Sequence, residues 1–266
     1  MNMFLALTAV LSLASQQAGE LTLTRARTTY GAPGLPRTDD KLLPGDQFVV
    51  VFDIKGVTVN PAGKVLYSTS VELADSKGKV FFKQRARDQK TVAALGGSSV
   101  PGMVVLDVGL DQPPGTYTVK VVVTDRASKR TGSLSRTFQV LPADFGIVRL
   151  TTTADPEGQA PISIFQTGGS LWLNTGVVNF ARDKRTGQPE LAVEVRVVDE
   201  DGKPTTKQPF EGVINEKVPA NARFVPVQFL VPLNRAGKFT VEIKATCRVS
   251  KKSKTLSLPI TVAASK

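Results

Sequence analysis

Two clusters of cationic side chains are the most conspicuous chemistry in the sequence. The first holds Arg126, Lys129 and Arg130; the second holds Arg248, Lys251, Lys252 and Lys254. Each directly follows a strongly alternating apolar segment, so each is expected on a hairpin. Two basic tips at matching places would give a bivalent contact to an anionic polymer, with linkage raising avidity. The plainer alternative is that charged turns keep hairpins solvated and block edge pairing. The whole chain carries a net charge of +11, which favours anionic partners through long-range attraction.

The other reactive side chains are few. Histidine is absent, which removes Ser-His-Asp and Cys-His catalysis, His-ligated zinc and histidine pH switches. Cys247 is the single cysteine. It can form neither an internal disulfide nor a thiolate cage, and it falls on the apolar parity of its strand, as a buried small hydrophobe would. Carboxylates suited to a glycosidase-like pair exist at Glu72, Asp107, Asp111, Glu194 and Glu211, but no spacing brings two together in a cleft. Asp75–Lys79 and Asp199–Lys203 faintly resemble calcium loops. Neither has the later bidentate acid such a loop needs, so both are expected as tight turns. No cofactor is expected, and no catalytic or metal-binding residue is assigned.

Aromatic residues are sparse, with Trp172 the one tryptophan and Tyr30, Tyr67 and Tyr117 the tyrosines. Stacking platforms for sugars or single-stranded nucleic acid need more of them, so no specific nucleic acid is expected as partner.

The elements that must position these groups come from a repeat. Gly45, Gly63, Val71, Asp75, Gly78, Lys79, Lys83 and Gln84 recur 124 residues later as Gly169, Gly187, Val195, Asp199, Gly202, Lys203, Lys207 and Gln208. Gly115, Val119 and Val140 match Gly237, Val241 and Val262 at a spacing of 122, with Val121 facing Ile243. Ordered matches on turn glycines and apolar positions point to internal duplication. Within each copy the period is two. Phe48, Val50, Phe52 and Ile54 alternate, as do Leu191, Val193, Val195 and Val197, and Phe239, Val241, Ile243, Ala245 and Cys247. One apolar and one wet face mark antiparallel sheets packed on one side. Residues 87–95 allow one or two helical turns. Trp172, aligned with Phe48 at the 124-residue spacing, is expected in the core.

About seven strands over roughly 120 residues argue for a Greek-key sandwich. The segment Pro114–Asp125, with its counterpart Arg235–Lys244, resembles a late strand of bacterial immunoglobulin-like and fibronectin-type-III-like modules. Taken with the repeat, the resemblance implies an all-β fold of two tandem Greek-key β-sandwich (Ig-like) domains related by internal duplication. It implies no particular function, since such sandwiches host many. The expected division is a signal peptide at 1–18, one module at 19–142 and a second at 145–266. The short apolar run from Phe4 to Ala14 is too brief to span a membrane and fits a signal-peptide core, with cleavage between Ala14 and Gly19.

The functional expectation is an exported, non-enzymatic envelope or secreted module, periplasmic or cell-surface. Its partner would be an anionic envelope polymer or another envelope protein. The alternatives are a polyanion-binding protein using both basic hairpins, and a small carboxylate-dependent hydrolase.

Overall fold

The computed structural model describes residues 20–265, all of them in strands, turns and loops. The expected signal peptide at 1–18 lies outside these residues. Seventeen strands follow one another among the described residues. The first nine are β1 (Thr22–Tyr30), β2 (Leu35–Pro36), β3 (Lys41–Leu42), β4 (Gln47–Lys55), β5 (Lys64–Ala74), β6 (Val80–Val92), β7 (Ser99–Asp107), β8 (Gly115–Asp125) and β9 (Thr131–Val140). The remaining eight are β10 (Gly146–Thr153), β11 (Phe165–Gln166), β12 (Ser170–Val178), β13 (Leu191–Asp199), β14 (Phe210–Ile214), β15 (Phe224–Pro232), β16 (Gly237–Cys247) and β17 (Lys252–Ala263).

Four sheets result. In the N-terminal half a sheet ordered β2-β1-β4-β7 faces one ordered β3-β9-β8-β5-β6. In the C-terminal half β10-β12-β15 faces β11-β17-β16-β13-β14. Apart from β2 the two orders are the same, strand for strand. Each pair of sheets encloses one apolar cluster. The first is built around Phe48, Ile54, Val119 and Val121, the second around Leu171, Leu173, Leu191 and Ile243. Burying alternate residues from two facing sheets is what the period-two pattern requires.

The halves also agree in their irregular features. The β1–β4 ladder bulges between Thr24 and Arg27, and the β10–β12 ladder between Val148 and Thr151. Each bulge places an arginine in the left-handed region, Arg25 at φ 50° and Arg149 at φ 56°. Val71 pairs with Val121 as Val195 pairs with Ile243. The Asp75 and Asp199 turns share one pattern, in which the carboxylate Oδ1 accepts the N–H of the residues two and four further on. Gly78 and Gly202 close these turns at φ 78° and 76°, a backbone that glycine adopts without strain.

Three expectations need correction. Gly45 occupies the place of Gly168, not Gly169: both have positive φ, and Gly45 N–H bonds Val108 O as Gly168 N–H bonds Leu233 O. The spacing therefore shortens to 123 residues across β4 and β12. That single residue moves Trp172 as well. It takes the place of Val49, lies on the outer face opposite Leu230, and is half-buried rather than in the core. A one-residue slip sends every side chain to the other face of a strand. Finally, residues 87–92 are strand, not helix. They belong to β6, which ladders against β5 along most of its length. Backbone pairing to a formed sheet outweighs the weak local preference of a polar segment.

Candidate functional site

Both basic clusters sit on the hairpin expected of them. Arg126, Lys129 and Arg130 lie on the β8–β9 turn and at its close; Arg248 and Lys251 form the β16–β17 turn, and Lys252 and Lys254 open β17. Lys129 and Lys251 occupy the same left-handed corner, at φ 63° and 57°. Both are exposed, and neither enters an ion pair among the described residues. The remaining cations have partners. Arg126 faces Asp88 at 3.4 Å, and Arg130 donates to Gly56 O at 2.7 Å. Arg248 lies 3.6 Å from Glu190 and 3.4 Å from Glu211. Lys252 donates to Asp144 Oδ1 at 2.7 Å, and Lys254 lies 3.7 Å from its Oδ2.

These partners fix where each hairpin sits. Gly56 follows the end of β4, whereas Asp46 precedes its start. A nine-residue strand separates them by roughly 30 Å. Asp46 touches the second half of the chain, so the β8–β9 hairpin is at the pole away from the junction. The β16–β17 hairpin is at the junction itself, against Asp144 of the connecting segment. The structure therefore does not bring the two clusters together; they stand at matching poles of successive halves.

The junction is a densely bonded polar region. Asp46 Oδ1 accepts the Arg149 N–H at 2.8 Å, and its Oδ2 accepts Arg37 Nη1 at 2.8 Å. Arg149 Nε donates to Gly45 O at 2.9 Å, and its Nη2 lies 3.1 Å from Asp107. Arg223 grips Asp111 with both Nη atoms, at 2.9 and 2.8 Å, a fork-to-carboxylate pairing that fixes direction as well as distance. Asn179 donates to Asp144 O at 2.9 Å. Apolar contacts interleave with these bonds. Leu35, from the N-terminal half, is buried in the second cluster. A Cβ on Gly146 would stand 2.2 Å from Leu43 Cδ1, so absence of a side chain there lets the two halves close. Arg37, Lys41, Asp46, Asp144 and Lys252 line a cleft of about 800 Å³ alongside.

Electrostatics follow these partners. Burial alone would lower the Arg37 pKa, but Asp46 beside it lifts the value above the ordinary arginine range. The Lys252 ammonium, helped by the Phe145 N–H, holds the Asp144 carboxyl below the usual carboxylate range. Arg223 does the same for Asp111.

The candidate acids are dispersed. Glu72 pairs with Lys83, Asp111 with Arg223 and Asp107 with Arg149. Glu194 and Glu211 are cross-strand partners, yet each faces its own cation, Lys244 at 3.9 Å and Arg248 at 3.4 Å. They lie on the outer face of a sheet, not in a cleft. Among the described residues no cluster of three or more potential metal ligands occurs, and there is no helix long and apolar enough to cross a membrane. Cys247 is fully buried, with Sγ 3.8 Å from Ala181 O.

No family model matches the chain, and no curated protein does. Solved structures give distant likenesses. The C-terminal domain of the antigen I/II polypeptide BspA of Streptococcus agalactiae aligns at 11% identity over 91% of this chain and 99% of that one, with a TM-score of 0.31. The corresponding domain of AspA from Streptococcus pyogenes aligns at 12% identity over 92% and 100%, with a TM-score of 0.30. Dimeric latent PorU of Porphyromonas gingivalis gives 12% identity over 94% of this chain and 21% of that one, with a TM-score of 0.37. Scores this low place no constraint on function.

Sequence reasoning did not find the junction residues Arg37, Asp46, Arg149 and Arg223. One signal was available: Arg25 and Arg149 are themselves 124 residues apart, so the repeat marks a conserved local shape at which the second arginine acquires a new partner.

Proposed function

We propose that this chain is an exported, non-enzymatic interaction or structural module, in which two Ig-like sandwiches, 19–142 and 145–266, arose by internal duplication and act as a rigid end-to-end pair. Matching strand orders, matching bulges and the shared left-handed arginine and lysine positions support the duplication. The observation that carries the functional reading is the junction: Asp46, Arg149, Arg223 and Asp111 bind one half to the other where a flexible linker would otherwise leave a hinge. A rigid pair holds a fixed spacing between its poles, which suits a spacer or a subunit of a surface assembly. Export is supported by the short apolar run at residues 4–14. Small-angle scattering of the mature protein should give one elongated shape, and N-terminal sequencing should find cleavage between Ala14 and Gly19. A broad spread of inter-module distances would defeat the rigid pair; an intact Met1 on cytoplasmic protein would defeat export.

A second reading, polyanion binding through the hairpins, is favoured by one observation: Lys129 and Lys251 share a turn position and are both exposed and unpaired. Exchanging the whole cluster would also break the Asp144 and Gly56 contacts, so the informative variant is the double Lys129→Ser, Lys251→Ser. It should keep its fold and lose retention on heparin at low salt, with native retention falling steeply as salt rises. Equal retention of the two proteins would leave these hairpins as solvated turns.

A further inference from the structure

The far pole of the second half holds a cleft of about 670 Å³, lined among others by Val197, Thr205, Leu233, Arg235, Phe239 and Ile260. Most of its lining residues are apolar, with Asp199, Thr205, Thr206, Asn234 and Arg235 supplying polar groups. That composition and volume are those of ordinary ligand sites. Arg235 lies over the Phe239 ring, its guanidinium carbon 5.0 Å from the centroid.

The equivalent place in the first half is covered by the chain's own aromatic rings. Register makes the comparison residue by residue. Tyr117 pairs with Phe138 as Phe239 pairs with Ile260. Ala74 pairs with Val80 as Val198 bridges Pro204, so Phe81 corresponds to Thr205. Phe48 pairs with Leu106 as Leu171 pairs with Val231. In the first half Phe48, Phe138, Tyr117 and Phe81 form a continuous ring series, with centroids 4.5, 5.7 and 5.6 Å apart. The second half has Leu171, Ile260, Phe239 and Thr205 in their places. Three of four rings are gone, including the outermost one.

The strand that carries the covering ring is also interrupted. In the first half β6 ladders on β5 out to the Ala74–Val80 pair. In the second half β14 pairs with β13 only as far as Val195–Phe210, and beyond it one isolated bridge joins Val198 to Pro204. Pro204 and Pro209 bracket the loop between them, and neither has an N–H to give to a ladder. The second half thus lacks the ring, and of the segment bearing it keeps only the short Pro204–Thr205 stretch, where Thr205 N–H donates to Val197 O at 2.9 Å.

We infer that this cleft receives an aromatic side chain carried on an extended segment of a partner polypeptide, the ring taking the place that the Phe81 ring fills in the first half. The ring would lie against Phe239, beside Arg235, between Val197 and Leu233. Docking at this pole has a precedent within the molecule: the matching pole of the first half is where the second half binds.

The test is an NMR titration of the full chain with N-acetyl-phenylalaninamide, beside N-acetyl-alaninamide and toluene. Saturable shifts at the Thr205, Thr206, Arg235 and Phe239 amides are expected with the phenylalanine compound, at least ten-fold weaker with the alanine compound. Thr205→Phe, which restores the missing ring, should abolish them. Phe81→Thr supplies an independent variant: it should open the first half and create a second saturable set near Tyr117. Absence of saturable shifts in the native chain, or shifts unaltered by both variants, would overturn the site. Toluene binding as tightly as the phenylalanine compound would overturn the polypeptide occupant, since the cleft would then be a general apolar cavity.

Discussion

At the scale of single residues, the repeat shows how one backbone position can be stabilised by different chemistry. Asp125 and Cys247 occupy corresponding ends of β8 and β16, and both are fully buried. Asp125 accepts N–H bonds from Thr58 at 2.6 Å, Ala127 at 2.8 Å and Ser128 at 3.2 Å. Burial pushes its pKa up, but these donors outweigh that effect and the value falls below the ordinary carboxylate range. A carboxyl whose folded pKa lies below its unfolded value, about 3.9, contributes fully above that pH and loses its contribution as pH falls through the folded value. Asp125→Ala should therefore destabilise the protein by about 2–3 kcal/mol at pH 7, since buried N–H groups lose their acceptor. Urea unfolding at pH 7 and pH 3 checks this, and the gap from the native protein should narrow at the lower pH. Cys247 was legible as core from parity alone. The role of Asp125 was not, because an acid at a strand end looks like any turn acid until its donors are known.

At the scale of elements, legibility followed burial. The central strands β5, β8, β13 and β16 have one dry face, and alternation marked them. β6 has neither face covered along most of its thirteen residues, so no period betrays it. Its sequence shows how such an edge survives. Lys83, Arg85, Arg87 and Lys90 stud a strand that also exposes Val80, Phe81 and Phe82, each more than 40% accessible. Edge strands offer unpaired backbone to other chains, and cations along them oppose that pairing. Replacing Arg85, Arg87 and Lys90 together by Thr should leave the monomer folded and produce concentration-dependent oligomers. Light scattering after size exclusion would show the change; a variant as monomeric as the native chain would mean that the breaks in the β5–β6 register, between Thr69 and Val71 and between Leu73 and Ala74, suffice as protection. The corresponding β14, five residues long, is limited by length instead. The Trp172 error belongs to this scale as well. Repeat spacing located the strands, but parity depends on single residues, and one residue fewer in a long connection reversed a face.

At the scale of the whole molecule, the question is what makes two sandwiches one body. Their shared strand order describes their likeness but not their attachment, because Arg149 has the same local shape as Arg25 and a different partner. Arg25 pairs with Asp53 of its own sheet, whereas Arg149 reaches Gly45, Asp46 and Asp107 across the junction. Asp46 is the centre of this arrangement. Its side chain is 7% exposed, and that of its partner Arg37 10%. Removing one member of a buried pair leaves an uncompensated charge, which costs about 3–5 kcal/mol, whereas replacing both by apolar groups is often close to neutral. Asp46→Ala should therefore destabilise the chain by about that much and loosen the inter-module spacing seen by scattering. The double variant Asp46→Ala, Arg37→Met should recover a large part of the stability, because the stranded guanidinium is gone. It should not recover the fixed spacing, because the Arg149 N–H still lacks its acceptor. Denaturant unfolding reports the first quantity and scattering the second. If both recover together in the double variant, the stranded Arg37 charge rather than the lost Asp46–Arg149 bond is what loosened the junction; if stability recovers while spacing stays loose, the Asp46–Arg149 bond is what aligns the two halves.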